Sequence, residues 1–223
     1  KNLVVAATGT GKTVIAAFDY QRFRDEHQQN NNLLFIVHRE EILEQSIATF
    51  RSVLEDEKFG ELWVGSHQPS FKSELNHLFV SIQTFNSNKE RFQRLGENHY
   101  DFIIIDEAHH STAESYRQLF TMFRPKILLG LTATPERADG KSLLPDFNNR
   151  IAAEMRLPEA INRLLLSPFQ YFCIGDKTVD LSQVKWSAAA GSYDEDELFR
   201  KLNTEGRLNL ILRTIPHYLS DEH

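Results

Sequence analysis

Eight consecutive residues, Ala6-Ala7-Thr8-Gly9-Thr10-Gly11-Lys12-Thr13, hold the densest chemistry in the chain. They follow an apolar run, Leu3-Val4-Val5, and lead into Val14-Ile15-Ala16-Ala17-Phe18, so the order reads strand, glycine loop, helix start. This is the arrangement of a phosphate-binding loop, G-x-x-x-x-G-K-[ST], with Ala6 where the first glycine usually stands. Gly9 and Gly11 let the backbone curl until the N–H groups from Thr8 to Thr13, Thr10 among them, converge on one concavity. That concavity lies at a helix N-terminus, which already favours anions. Lys12 has the reach to touch the β- and γ-phosphates of a nucleoside triphosphate, and the Thr13 hydroxyl can ligate Mg²⁺.

Binding phosphate is not the same as hydrolysing it; hydrolysis also needs a carboxylate on the metal and a group that orients and deprotonates water. The run Phe102-Ile103-Ile104-Ile105 leads straight into Asp106-Glu107-Ala108-His109-His110. Asp106 is the expected Walker-B aspartate, sharing the Mg²⁺ with Thr13, and Glu107 is the candidate base for the attacking water. An acidic pair after a strand can instead simply cap the next helix. Lys12, 94 residues earlier in the same pattern, favours the catalytic reading. His109 reads as a hydrogen-bonding link between the nucleotide site and a neighbouring loop. No cysteine or histidine cluster at ligand spacing accompanies His109 and His110, which argues against zinc. ATP and Mg²⁺ are the expected cofactors.

These clusters need a scaffold that gathers them. Apolar runs of strand length occur at Leu33–Val37, 61–64, Leu78–Ile82, Phe102–Ile105 and Ile127–Leu131. Helical spacing separates them: residues 13–26, with Val14, Ala17, Phe18 and Phe23 able to share a face; Ile42, Leu43, Ile47, Phe50 and Leu54; a short helix with Lys89, Arg91 and Arg94; and about 113–123, with Tyr116, Leu119, Phe120 and Phe123 on one side. Strands alternating with helices predict an α/β domain, a parallel sheet with helices on both faces. Ligands bind such sheets at the carboxyl ends of strands, where every polar cluster just named falls. Beyond Pro135 the pattern loosens. Phe169–Ile174 is predicted as a last strand, Trp186–Tyr193 as a loop, and 205–219 as a helix carrying Leu208, Ile211, Leu212, Ile215 and Leu219.

The 223 residues suffice for one large core, or one domain and part of a second. No apolar run approaches the ~20 residues of a membrane span, so no membrane partner is expected. The single cysteine, Cys173, excludes an internal disulfide and fits a reducing compartment. A net charge of −6 argues against a wholly basic nucleic-acid binder and leaves room for a local patch. Lys1 stands almost on the first strand, an abrupt start that suggests an excised fragment.

The order Ala6-x-x-Gly9-x-Gly11-Lys12-Thr13, Asp106-Glu107-Ala108-His109 and Thr132-Ala133-Thr134 resembles motifs I, II and III of the DEAD/DEAH-box helicases of superfamily 2, which have a RecA-like P-loop fold. Val37-His38-Arg39 is similar to motif Ia, and Ser81-Ile82-Gln83-Thr84 to the nucleic-acid-facing motif that follows it. Three longer stretches, His38–Gln45, Ile104–His110 and Leu131–Arg137, look most like the type III restriction-enzyme helicase branch, with its RadD-like members. The resemblance implies ATP·Mg²⁺ on motifs I and II, Arg39 and Thr84 facing the sugar-phosphate backbone, and Thr132 and Thr134 coupling the two sites.

It further implies a first motor lobe over residues 1–165. Residues 166–223 are then a C-terminal extension and linker helix toward a second motor lobe of the same polypeptide, which the sequence lacks. The lobe alone is expected to hydrolyse ATP poorly, since related enzymes gain ~10³–10⁵ in rate from an arginine finger. The expected polymer is DNA, duplex ahead of single strands, in a bacterial cytoplasm on the nucleoid. RNA is the alternative polymer, and a P-loop nucleotide switch without motor work the alternative class.

Overall fold

The computed structural model of the chain describes residues 1–27, 31–65, 67–70, 74–110, 114–136, 142–171, 173, 175–176, 178–182, 184–187 and 192–218. These fall into two compact units, Lys1–Ser167 and Pro168–His223. The first contains strands β1 (Asn2–Ala6), β2 (Leu33–Val37), β3 (Glu61–Trp63), β4 (His77–Ser81), β5 (Phe102–Ile105), β6 (Ile127–Thr132) and β7 (Ile151–Met155). Its helices are α1 (Lys12–Glu26), α2 (Glu41–Leu54), α3 (Ile82–Ser87), α4 (Lys89–Gln93), α5 (Glu114–Met122) and α6 (Leu157–Asn162). The strands form one seven-stranded sheet in the order β3-β4-β2-β5-β6-β1-β7, parallel throughout.

Uninterrupted apolar runs suit strands buried on both faces. Leu33, Phe35 and Val37 of β2 enter a core beneath α1 and α2, while Leu34 and Ile36 enter a second core with Phe85, Phe92, Tyr116 and Phe123. The same alternation splits Ile104 from Ile103 and Ile105 on β5. The α/β architecture is as the alternation of elements predicts.

The buried face of α1 differs from the sequence expectation. Ala16, Ala17, Tyr20 and Phe23 pack inward, whereas Val14 and Phe18 point outward, Phe18 being 55% exposed. The small Ala16 and Ala17 let the helix lie close to the sheet, and Tyr20 reaches past its end to donate to the Asn31 carbonyl at 2.7 Å. The helix after Asp106 is described from Glu114; position 113, where the sequence suggests its start, is outside the described residues, as are Arg137 and Leu219.

The amino ends of the central strands are tied by polar side chains. Asn32 donates to the His99 carbonyl at 2.9 Å, and its backbone N–H to Asp101 Oδ2 at 3.2 Å. His77 at the start of β4 stacks on Phe59, ring centroids 4.7 Å apart.

In the second unit, β8 (Trp186–Ser187) and β9 (Ser192–Tyr193) pair antiparallel where the sequence suggests a loop, with Trp186 edge-on to Tyr193. Two helices follow, α7 (Glu195–Leu202), capped by Asp194, and α8 (Glu205–Tyr218). The strand expected at Phe169–Ile174 is absent among its described residues. The place beside β1 at the edge of the parallel sheet is taken by β7. Among the described residues no helix is long and apolar enough to cross a membrane.

Candidate active site

β1 is buried to its end at Ala6, and there the chain turns. The Ala7 N–H donates to the Met155 carbonyl at 3.0 Å, pinning the root of the loop to β7. Thr10 closes the turn by donating both its N–H (3.2 Å) and its hydroxyl (2.6 Å) to the Ala7 carbonyl. Gly9 and Gly11 have φ of +86° and +85°, a left-handed backbone natural to glycine. α1 then begins at Lys12, its first-turn N–H groups having no acceptor within the helix. Thr8 and Gly9 are exposed, and Thr10, Gly11 and Thr13 half-buried.

Lys12 is 9% exposed, a buried cation at the positive end of a helix dipole. Both features call for an anion close by. Asp106 answers part of that need: it follows β5, is 5% exposed, and its carboxylate interacts with Lys12. Burial pushes the Asp106 carboxyl above the usual carboxylate range; the Glu107 charge adds to the rise, while the Glu107 N–H and Lys12 oppose it. The Glu107 N–H donates to Asp106 Oδ1 at 2.9 Å. Glu107 sits at φ +50°, a left-handed backbone uncommon for a residue with a side chain. A buried, partly compensated carboxylate beside the loop is the setting in which a divalent cation gains most from electrostatics. Asp106 and Thr13 therefore fit a Mg²⁺ site.

His109 follows on a short 3₁₀ turn, Ala108–His110. Its Nδ1 lies 3.2 Å from Thr132 Oγ1 and 3.3 Å from Glu107 Oε2. Thr132, fully buried at the end of β6, donates its hydroxyl to the Thr134 carbonyl at 2.8 Å and accepts the Thr134 N–H at 3.2 Å. Thr134 itself is exposed.

The strand order explains the gathering. β6 lies between β1 and β5, so Thr132 stands between the phosphate loop and Asp106. Lys12, Thr13, Asp106, Glu107, His109 and Thr132 share one carboxyl edge of the sheet.

Arg39 and Thr84 are elsewhere on that edge, after β2 and β4. Arg39 is exposed in the turn before α2. Thr84 is only 8% exposed; its hydroxyl is 2.9 Å from Ser81 Oγ, and its N–H caps α3 on the same oxygen at 3.1 Å. Gln83 is the exposed neighbour. Ser81 donates to Glu40 Oε1 at 3.2 Å, joining the Arg39 turn to α3. The sequence placed Glu40 and Ser81 only within longer motif stretches and gave no sign of their contact, although Ser81-x-x-Thr84 has the spacing of a helix cap. The pairing of Glu136 with Arg156 gave no signal: the two are 20 residues apart, and only Glu136 falls in a stretch read from the sequence, Leu131–Arg137.

Residues 1–137 match the family model for the type III restriction enzyme, res subunit. IRC3 of Saccharomyces cerevisiae, named as an ATP-dependent helicase, is 31% identical over 96% of this chain and 31% of its own length. The type I restriction enzyme EcoAI endonuclease subunit of Escherichia coli is 25% identical over 97% of this chain and 28% of its own. The chain thus spans about a third of the length of these curated relatives. Among solved structures, the type ISP restriction-modification enzyme LlaGI, in complex with a DNA substrate mimic, superposes with TM-score 0.57 at 18% identity. It covers 74% of this chain and 19% of its own. The UvsW helicase from bacteriophage T4 gives 0.53, also at 18% identity, over 70% of this chain and 54% of its own.

Proposed function

The chain belongs to the family of the type III restriction enzyme res subunit, within the superfamily 2 helicases, and from that membership we propose that it is the ATP-binding lobe of a DNA translocase or helicase. The observation that carries the proposal is that buried Lys12, at the end of a glycine loop, and buried Asp106 lie at the same edge of the sheet, with Thr132 and its His109 contact on the strand between them.

In this reading the N–H groups from Thr8 to Thr13 cradle the phosphates, and Lys12 draws charge from the β- and γ-oxygens. Thr13 and Asp106 would hold Mg²⁺, which when bound polarises the phosphoryl oxygens. Glu107 takes a proton from the attacking water as the water oxygen bonds to the γ-phosphorus and the bond to the ADP oxygen breaks. Arg39 faces the sugar-phosphate backbone. Thr84, expected beside Arg39 at that backbone, is instead buried and, through Ser81 and Glu40, braces the turn that carries Arg39. Thr132 and Thr134 link that grip to the nucleotide through His109.

Membership of the restriction-enzyme family is what supports reading the polymer as DNA. The motor lobe occupies residues 1–165, and 166–223 extend toward a second lobe of the same polypeptide. Its place of work is the bacterial nucleoid, where such a substrate lies.

The deciding experiment measures ATP hydrolysis by the full-length protein with duplex DNA, single-stranded DNA, RNA or no polymer. Stimulation by duplex DNA supports the proposal. Stimulation by RNA alone moves the protein to RNA work, and equal rates in all four mark a nucleotide switch.

A further inference from the structure

Because β1 lies between β6 and β7, the segments leaving those two strands flank the phosphate loop on either side. They meet across it. Arg156, directly after β7, donates Nη1 to Glu136 Oε2 at 3.1 Å and Nη2 to Glu136 Oε1 at 3.0 Å, a bidentate pair. The strand ends it joins are two spacings apart, about 9.5 Å, with the exit of β1 between them. The Arg156 fork is also steadied from its own strand: Nε donates to Glu154 Oε1 at 2.6 Å.

Each anchor sits next to chemistry. Glu136 follows Thr134 by two residues, within the segment that Thr132 organises. Arg156 follows Met155, whose carbonyl accepts the Ala7 N–H at the loop root. The same exit segment touches the loop again: a Cβ built on Gly9 would stand 3.2 Å from Leu166 Cδ2. Exposed ion pairs add little to stability, and this one is largely exposed, at 38% and 67%. Bidentate geometry fixes orientation more than it adds energy. A pair with little to offer stability and a fixed geometry across a phosphate loop serves position.

We propose that Glu136 and Arg156 form a strap across the root of the phosphate loop, with Arg156 a positioning residue that holds the Thr132–Glu136 segment in register with the loop. Through the strap, a shift of the loop on nucleotide binding moves the segment that His109 contacts, and the reverse. The functional consequence rests on the ATP-driven reading above; the strap itself does not.

The test compares Glu136→Gln, Arg156→Gln, the double variant and Glu154→Gln in the full-length protein. Glu154 pairs with the same guanidinium without crossing β1, so it controls for charge. Hydrogen exchange without ligand reads the strap directly. Glu136→Gln and Arg156→Gln should speed exchange at the Thr134, Glu136 and Leu143 amides, while Glu154→Gln leaves it unchanged. Unchanged exchange in Glu136→Gln would overturn the strap whether or not the protein hydrolyses ATP. Polymer-stimulated hydrolysis reads the consequence. Each crossing variant should lose between about 3-fold and 30-fold of the stimulation, with the KM for ATP unchanged and the double variant no worse than either single. Additive losses, or an equal loss in Glu154→Gln, would also overturn it. A wild-type protein that polymer does not stimulate would instead count against the proposed function, leaving exchange to judge the strap.

Discussion

His109 Nδ1 and Thr132 Oγ1 stand 3.2 Å apart, joining the turn after β5 to the end of β6. Thr132 has one hydroxyl hydrogen, given to the Thr134 carbonyl. With that hydrogen committed, the contact with Thr132 needs a hydrogen on His109 Nδ1, which also lies 3.3 Å from Glu107 Oε2. Thr132→Val, which keeps the shape and removes the hydroxyl, leaves the Thr134 N–H and the Thr134 C=O each short of a partner and takes one contact from His109, which keeps Glu107. It should destabilise the fold by about 1–2 kcal/mol in urea unfolding, with Thr132→Ser close to wild type. A wild-type midpoint for the valine variant would show the bonds to be dispensable.

Lys12 and Glu107 should separate binding from chemistry. Lys12→Ala is expected to weaken ATP binding at least tenfold by calorimetry without lowering the thermal midpoint, because a buried cation at a helix N-terminus is itself unfavourable. Glu107→Gln should bind ATP like wild type and hydrolyse it roughly 10²–10⁴ times more slowly. Undiminished turnover in Glu107→Gln would remove that residue from its role.

At the opposite end of the sheet, burial pushes His77 from 6.5 down to about 4, and nearby Arg24 and His99 push the same way against Asp56. His99 is lowered too, mainly by burial. A histidine with a depressed native pKa binds fewer protons folded than unfolded. Its contribution to stability is therefore complete above 6.5 and fades as pH falls through that value toward about 4. For His77 it amounts to about 3 kcal/mol at most. Urea unfolding from pH 7.5 to 4.5 should show this loss, and His77→Phe should flatten the curve. An unflattened curve would assign the acid sensitivity to other groups.

Gly130, in the middle of β6, is present for room. A Cβ there would come within 2.6 Å of the Phe147 ring and 2.9 Å of Leu3 Cδ1. Gly130→Ala should lower stability by about 1–3 kcal/mol, and pairing it with Phe147→Leu should recover part of the loss. Urea midpoints of the two variants decide it.

Why some of this could be read from residues and some not follows from periodicity. Leu33–Val37 and Phe102–Ile105 are buried on both faces, so each announces itself as an unbroken apolar run. β7, Ile-Ala-Ala-Glu-Met, is an edge strand exposed along most of its length, so it carries neither an apolar run nor a clean alternation. Phe18 misleads because residue type suggests burial where the small Ala16 and Ala17 do the packing. The phosphate loop and Asp106-Glu107 are short segments with chemistry inside them. The Glu136–Arg156 contact exists only once β1 has been inserted between two other strands.

That insertion bears on how the molecule comes to be. β1 is among the first residues of this chain, yet its partners are Leu129–Thr132 on one side and Ile151–Met155 on the other. Both pairings close very long loops, the kind of contact that slows folding. During synthesis, Leu3, Val4 and Val5 therefore emerge long before either neighbour does and need shelter in the interval. The phosphate loop precedes both of these neighbours in sequence and is framed only after they arrive, so a nascent chain lacking β7 has the loop residues without the strand that pins their root.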